Sequence, residues 1–263
     1  MTPEQSNQPL LEVQDLVMAF GGLTALMNIS LCVTKGTIRA IIGPNGAGKT
    51  TLFNLITGVF PPTEGSIRFN GTDISGQKPH KIAAMGISRT FQTVELFDNM
   101  TVLENVMVGK HLRINTSFLS CGLGLPKIRS QEKTLEAQAM ALLSFIGLAE
   151  KSQTKADNLP LGERKILEIG RALATDPLLV CLDEPAAGLN ETETETAARL
   201  IQAIKNKGVT VLLVEHDMKV IMNISDEITV LNYGEKIAEG TPEEIQNNPK
   251  VIEAYLGDGS GFV

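Results

Sequence analysis

The chain has 263 residues, 43% hydrophobic and 20% charged, with a formal net charge of −7 at neutral pH. That length fits one large domain or two small ones sharing a core, and no run approaches the roughly 18 consecutive apolar residues of a spanning helix. The acidic balance argues against nucleic acid as the main partner, because phosphate backbones attract basic surfaces.

The opening "MTPEQSNQPL" lacks a basic n-region and an apolar h-region, so no signal peptide is expected. Cys32, Cys121 and Cys181 are few, odd in number and widely spaced; they read as free thiols of a reducing compartment and form no metal pattern. "LLEVQDLVMAF" (10–20) and "TIRAIIG" (37–43) read as strands, the second running into a Gly-rich loop. "TTLFNLITG" (50–58) follows as a helix closed by Gly58. In "GSIRFNGTDI" (65–74), Asn70-Gly71 signals a hairpin turn between short strands, so an antiparallel portion accompanies a parallel core.

From about Thr101 to Ala174 the strand signals fade. Leu135, Ala139, Leu142 and Ile146 recur at helical spacing, as do Ile166, Ile169, Ala172 and Leu173, which predicts a helical insertion. Within it "RINTSFLSCGLGLPK" (113–127) is the least regular stretch and reads as a flexible loop. Strands resume at "LLVCLDE", "VTVLLVE" and "EITVLNY", separated by helices, and Asn190 with Glu193 forms a capping-box pattern ahead of one of them. No internal repeat or low-complexity segment is present. The expected fold class is α/β: a P-loop core with a mixed β-sheet, a small antiparallel β portion and an inserted α-helical subdomain.

"GPNGAGKT", Gly43 to Thr50, matches G-x-x-x-x-G-K-[ST] at every fixed position, between an apolar strand and a helix. Pro44, Asn45, Gly46, Ala47 and Gly48 form the loop. Backbone N–H groups from Asn45 to Thr51 can wrap a β-phosphate, aided by the positive end of the helix dipole. Lys49 would neutralise β- and γ-phosphate charge, and the Thr50 hydroxyl would ligate Mg²⁺. Asp183 ends an apolar strand, beside the phosphate loop if the two strands are neighbours. There it would orient Mg²⁺ and its water while Glu184 polarises the attacking water as general base. His216, just past another strand end, is placed for a γ-phosphate contact, or is a structural histidine. The Gln92 amide reaches Mg²⁺ or the lytic water, or is plain surface. Phe20, upstream of the loop, stacks on adenine or belongs to the core.

Taken in order, "GPNGAGKTT", "TFQ", "LPLGERKILEIGRALA", "VCLDEPAAGLN" and "VEHD" resemble an ATP-binding cassette, over roughly Leu10 to Gly257. The subfamily most similar is the cassette of high-affinity branched-chain amino acid importers, through "AFGGLTAL", "GISRTFQ", "LFDNMTVLENVMVG", "LDEPAAGLN" and "VIEAYLG". The resemblance implies Gln92 as the Q-loop residue, Ala187-Gly188-Leu189-Asn190 as the D-loop and His216 as the switch histidine. It also implies a head-to-tail dimer in which each phosphate loop meets the partner's signature. Here the signature departs from its usual Leu-Ser-Gly-Gly-Gln: Pro160 stands at the serine, Leu161 follows, and Glu163 replaces the glutamine. Gly162 and the helix dipole behind it are retained, and Pro160 suits the extended start of a helix. The variant is therefore expected to remain functional, with nucleotide contacts from Leu161, Gly162 and Glu163.

The expected activity is MgATP binding and hydrolysis driving a membrane permease that imports branched-chain or related amino acids. Cofactors are ATP and Mg²⁺. Partners are a second cassette (a paralogue rather than a copy of itself), permease subunits and, indirectly, a solute-binding protein, with no nucleic acid. The location is the cytoplasmic face of the inner membrane, peripheral through the permease. A lipid or lipopolysaccharide exporter cassette is the nearest competing reading, followed by a small-molecule P-loop kinase and a non-transport cassette. One ATPase domain, 8–257, is expected, with its core at 8–92 and 175–240, the helical subdomain at about 93–174 and C-terminal helices at about 241–257. Val94, Leu96 and Phe97 are expected to line a permease-docking surface or to be subdomain core.

Overall fold

The structure is a computed structural model describing residues 9–111 and 126–256. Most of the stretch expected to be a flexible loop, Cys121 and the closing Gly257 lie outside the described residues. Two compact units share the chain, one from Met1–Arg89 with Leu178–Val263 and one from Thr90–Pro177.

The first unit contains two sheets. Strands β1 (Pro9–Phe20), β2 (Leu23–Thr34), β4 (Glu64–Phe69) and β5 (Thr72–Asp73) form an antiparallel sheet in the order β2-β1-β4-β5. The turn between β4 and β5 has Asn70 at φ 48° and Gly71 at φ 76°, the left-handed pair that an Asn-Gly hairpin requires. The second sheet runs β10-β9-β3-β8-β7-β6. It is built from β3 (Ile38–Ile42), β6 (Ile87–Arg89), β7 (Leu179–Asp183), β8 (Thr210–Val214), β9 (Glu227–Asn232) and β10 (Glu235–Gly240). All its pairings are parallel except β9 with β10, so the sheet is mixed as expected.

Strand β3 is buried on both faces, which is why "IRAII" reads as a run and not an alternation. Ile41 joins a cluster with Leu52, Phe53, Leu55 and Ile56 of helix α1 (Lys49–Ile56) and with residues of both sheets. Ala40 and Ile42 face a second cluster with Ile221, Ile245, Val251 and Tyr255. These come from helices α7 (Met218–Ile224), α8 (Pro242–Gln246) and α9 (Pro249–Leu256). Helix α2 (Pro79–Met85) precedes β6, and α6 (Glu191–Asn206) joins β7 to β8. Asn190 caps α6 with the reciprocal bonds its spacing predicts: Glu193 N–H donates to Asn190 Oδ1 at 3.0 Å, and Asn190 N–H to Glu193 Oε2 at 3.0 Å.

The second unit is helical: α3 (Val102–His111), α4 (Pro126–Phe145) and α5 (Leu161–Leu173), with short 3₁₀ turns at Ala149–Lys151 and Ala156–Asn158. Helix α3 begins with a capping box between Thr101 and Glu104. Gly109 permits close packing, since a Cβ there would sit 2.5 Å from the Arg171 carbonyl oxygen. Asn105, fully buried, accepts from Phe97 N–H at 3.0 Å and donates to the Phe97 carbonyl at 3.1 Å, fixing that backbone to α3.

Candidate functional site

The loop Gly43–Gly48 leaves the end of β3 and opens α1. Its geometry demands glycine at two positions. Gly43 has φ 151°, and a Cβ there would lie 2.1 Å from the Leu231 carbonyl oxygen. Gly48, at φ 101°, would carry a Cβ 2.5 Å from Leu26 Cδ2 and 2.9 Å from the Ala25 carbonyl oxygen. The loop is held from outside as well. Gly234 N–H donates to the Ala47 carbonyl at 3.1 Å, and Met27 N–H donates to the Gly234 carbonyl at 2.8 Å. At the start of α1, Lys49, Thr50 and Thr51 present first-turn N–H groups that have no partner four residues back. Asn45, Gly46 and Thr50 are exposed, Pro44 and Ala47 buried.

Lys49 is buried, and its Nζ donates to the carbonyls of Gly43 at 2.6 Å and Pro44 at 2.9 Å. Burial holds its ammonium below the ordinary lysine range, while the nearby carboxylates of Glu184 and Asp183 pull the other way. These acids come from β7, which is not the neighbour of β3: β8 lies between them. The condition that the two strands be neighbours is therefore not met; they lie two strand spacings, about 10 Å, apart. The charges still converge, because the parallel register aligns Ile41, Val214 and Asp183 across the three strands, and all three chains leave at the same edge.

Asp183 is 3% exposed and accepts from Arg89 Nη2 of β6 at 2.8 Å. The same guanidinium donates through Nη1 to Asn54 Oδ1 at 2.6 Å and Thr57 Oγ1 at 3.1 Å, and lies 5.6 Å from the Phe53 ring centre. Glu184 adopts φ 49° and donates its N–H to the Val214 carbonyl at 2.8 Å. His216, exposed, has Nδ1 3.9 Å from Glu184 Oε2 and equally 3.9 Å from Glu215 Oε2. The Glu215 carboxylate, 1% exposed, accepts from Ala186 N–H at 2.6 Å and His216 N–H at 3.0 Å. It thus ties the turn after Glu184 to the backbone of His216. Burial raises the Glu215 pKa, and the two N–H donors and His216 oppose the rise. Sequence reasoning missed Arg89 and Glu215; the available signal was a charged residue abutting an apolar strand.

The remaining expected residues fall elsewhere. Phe20, at the end of β1, is 44% exposed with its ring edge-on to Phe60 at 5.6 Å, so the core alternative does not hold. Asn190 caps α6 as described. Gln92 belongs to the helical unit and is exposed. In that unit Pro160 precedes α5 with φ −63° and ψ 159°, the extended start expected for it. Leu161 is exposed, Gly162 buried, and both Glu163 carboxylate oxygens accept from Lys151 Nζ at 2.6 Å.

Residues 26–187 match the model of the ABC transporter family. The chain belongs to that family. The C-terminal residues 235–260 of this cassette also match a second family model, the branched-chain amino acid ATP-binding cassette transporter. Among its relatives, the high-affinity branched-chain amino acid transport ATP-binding protein BraF of Pseudomonas aeruginosa is 47% identical over 253 residues, covering 96% of the cassette and 99% of the relative. LivG of Escherichia coli, of the same description, matches at 47% over 253 residues with the same coverage. A solved ATP-binding cassette of an ABC transporter in its ADP conformation superposes with a TM-score of 0.84 at 36% identity, covering 95% of the cassette and 100% of that chain. The α/β fold with a mixed sheet follows. No helix among the described residues is long and apolar enough to cross a membrane.

Proposed function

We propose that this cassette hydrolyses MgATP to drive import of branched-chain or related amino acids through a membrane permease, as one ATPase domain at 8–257 on the cytoplasmic face of the membrane. The observation that carries the reading is the convergence of Lys49, Asp183 and Glu184 at one edge of the parallel sheet, where a triphosphate on the loop meets both its counter-charge and a base. The solute class rests on the match of residues 235–260 and on the relatives' descriptions; both favour import of amino acids over lipid export.

In this reading Lys49 exchanges its two loop carbonyls for β- and γ-phosphate oxygens. The first-turn N–H groups of α1 hold the β-phosphate, and Phe20 covers adenine. Thr50 and Asp183 offer a hydroxyl and a carboxylate, hard oxygen donors that suit Mg²⁺. When bound, that ion neutralises charge on the transferred phosphoryl group. Glu184 takes the proton of the attacking water as its oxygen bonds to the γ-phosphorus, the bond from that phosphorus to the bridging oxygen breaks with its electron pair leaving on ADP, and inorganic phosphate is the other product. His216 senses the γ-phosphate from beside Glu184. The signature residues Leu161, Gly162 and Glu163 act across a head-to-tail dimer with a second cassette, a paralogue in preference to a copy.

Reconstitution with amino acid permease subunits and their solute-binding protein tests the proposal. ATP-dependent uptake of labelled leucine is expected, and loss of uptake with Lys49→Ala. Hydrolysis without uptake of any branched-chain amino acid would overturn the solute class; no hydrolysis would overturn the whole reading.

A further inference from the structure

Glu168 lies on the buried side of α5, two turns beyond the signature, and is 4% exposed. A carboxylate in such a place requires donors, because burial without them is costly. Two of them come from one irregular segment of the same unit: Phe91 N–H donates to Glu168 Oε1 at 3.2 Å, and Glu95 N–H donates to the same carboxylate. These two amides bracket Gln92. Lys165 and Arg171 supply the compensating charge from the same helix, and Arg171 also faces Glu95. The segment is pinned further along as well, since the Arg171 guanidinium lies 5.6 Å from the Phe97 ring centre and Asn105 holds the Phe97 backbone.

The consequence is mechanical. Glu168 is six residues from Gly162 on one continuous helix, about 9 Å along a rigid rod. Residues 91 to 97 are irregular and have no ladder of their own. Their position is set by what they bond to, which includes the helix that begins at the signature and, at Phe97, Asn105 of α3.

We propose that Glu168 is a positioning residue that makes the Gln92 segment and the signature helix move as one body. Displacement of either end is transmitted to the other through a buried carboxylate instead of being absorbed by the loop. This rests on the transport ATPase reading above, and it assigns to Glu168 the link between permease contact and turnover.

The test uses the assembled transporter with Glu168→Leu, which removes both acceptors at similar volume, and Glu168→Gln, which keeps one. Amide exchange at Phe91 and Glu95 should speed up by roughly 10- to 150-fold in Glu168→Leu, the loss of a bond to a charged acceptor. Permease-stimulated kcat should fall at least about tenfold while KM for MgATP stays within about twofold. Glu168→Gln should lie between wild type and Glu168→Leu in both measurements. Unchanged exchange in Glu168→Leu, or faster exchange with kcat intact, would overturn the proposal. A parallel rise in KM would assign Glu168 to nucleotide binding and overturn it too. If Glu168→Leu does not fold, Glu168→Gln alone decides: the proposal fails if its amides exchange as in wild type. A wild type without any ATPase activity would instead sink the underlying transport reading.

Discussion

Arg89 provides the sharpest test of how the first unit is held together. Its side chain and that of Asp183 are 8% and 3% exposed and lie 2.8 Å apart, so neither charge has bulk water as an alternative partner. Arg89→Ala removes the guanidinium together with its bonds to Asn54 and Thr57, leaving the Asp183 carboxylate buried. Breaking one side of such a pair costs about 3–5 kcal/mol, more than the pair contributes relative to an apolar replacement. With a urea slope of about 3 kcal/mol per molar, the unfolding midpoint should fall by roughly 1 to 1.7 M. Circular dichroism during urea titration measures it. The control is Arg89→Met with Asp183→Leu, which removes both charges of the pair and should recover most of the loss. A single variant that shifts the midpoint by less than about 0.3 M, or a double variant no better than the single, would refute the reasoning.

Three further expectations follow from the site. Glu184→Gln keeps the shape of the side chain and removes the base, so hydrolysis should stall and MgATP-dependent dimers should persist on size exclusion; normal turnover would make His216 the candidate base. Burial raises the Glu215 pKa above 4.5, so the folded state keeps a proton that the unfolded chain has lost. Relative to Glu215→Gln, the wild type should therefore hold its stability below pH 4.5 and lose it as pH rises through the folded pKa; a pH-independent difference in Tm would contradict this. Pro160→Ser should restore a hydroxyl bond to phosphate worth about 1.5–3 kcal/mol, or roughly 10- to 150-fold in closure of the dimer. Gly162→Asp should abolish closure, and ATP-driven dimerisation untouched by Gly162→Asp would show that "LPLGE" is no signature.

The parts of the molecule legible in the sequence were those fixed by local rules. The phosphate loop, the capping box at Asn190 and the Asn70-Gly71 turn each follow from a few adjacent residues with one geometric demand. Strand β2 was not legible, because "LTALMNISLCVT" breaks its alternation at Asn28, which sits at φ 54°. Strand β6 is three residues long, and β10 is largely exposed, so neither has a clear hydrophobic pattern. The order of β3, β8 and β7 depends on which helices cover which face, and no residue near Asp183 encodes it. Arg89, Glu168 and Glu215 were passed over for a shared reason: charged side chains read as solvated until their buried donors and acceptors, distant in sequence, are known.

The turn joining β9 to β10 has a practical consequence for anyone attaching a reporter to this protein. With Tyr233 77% exposed, it looks like an ideal surface position for a tag or an inserted domain. Yet the adjacent Gly234 uses both its amide and its carbonyl to connect the phosphate loop to β2. A fusion placed there would pull on that wiring and register as a loss of nucleotide affinity, misread as damage to Lys49 or Thr50.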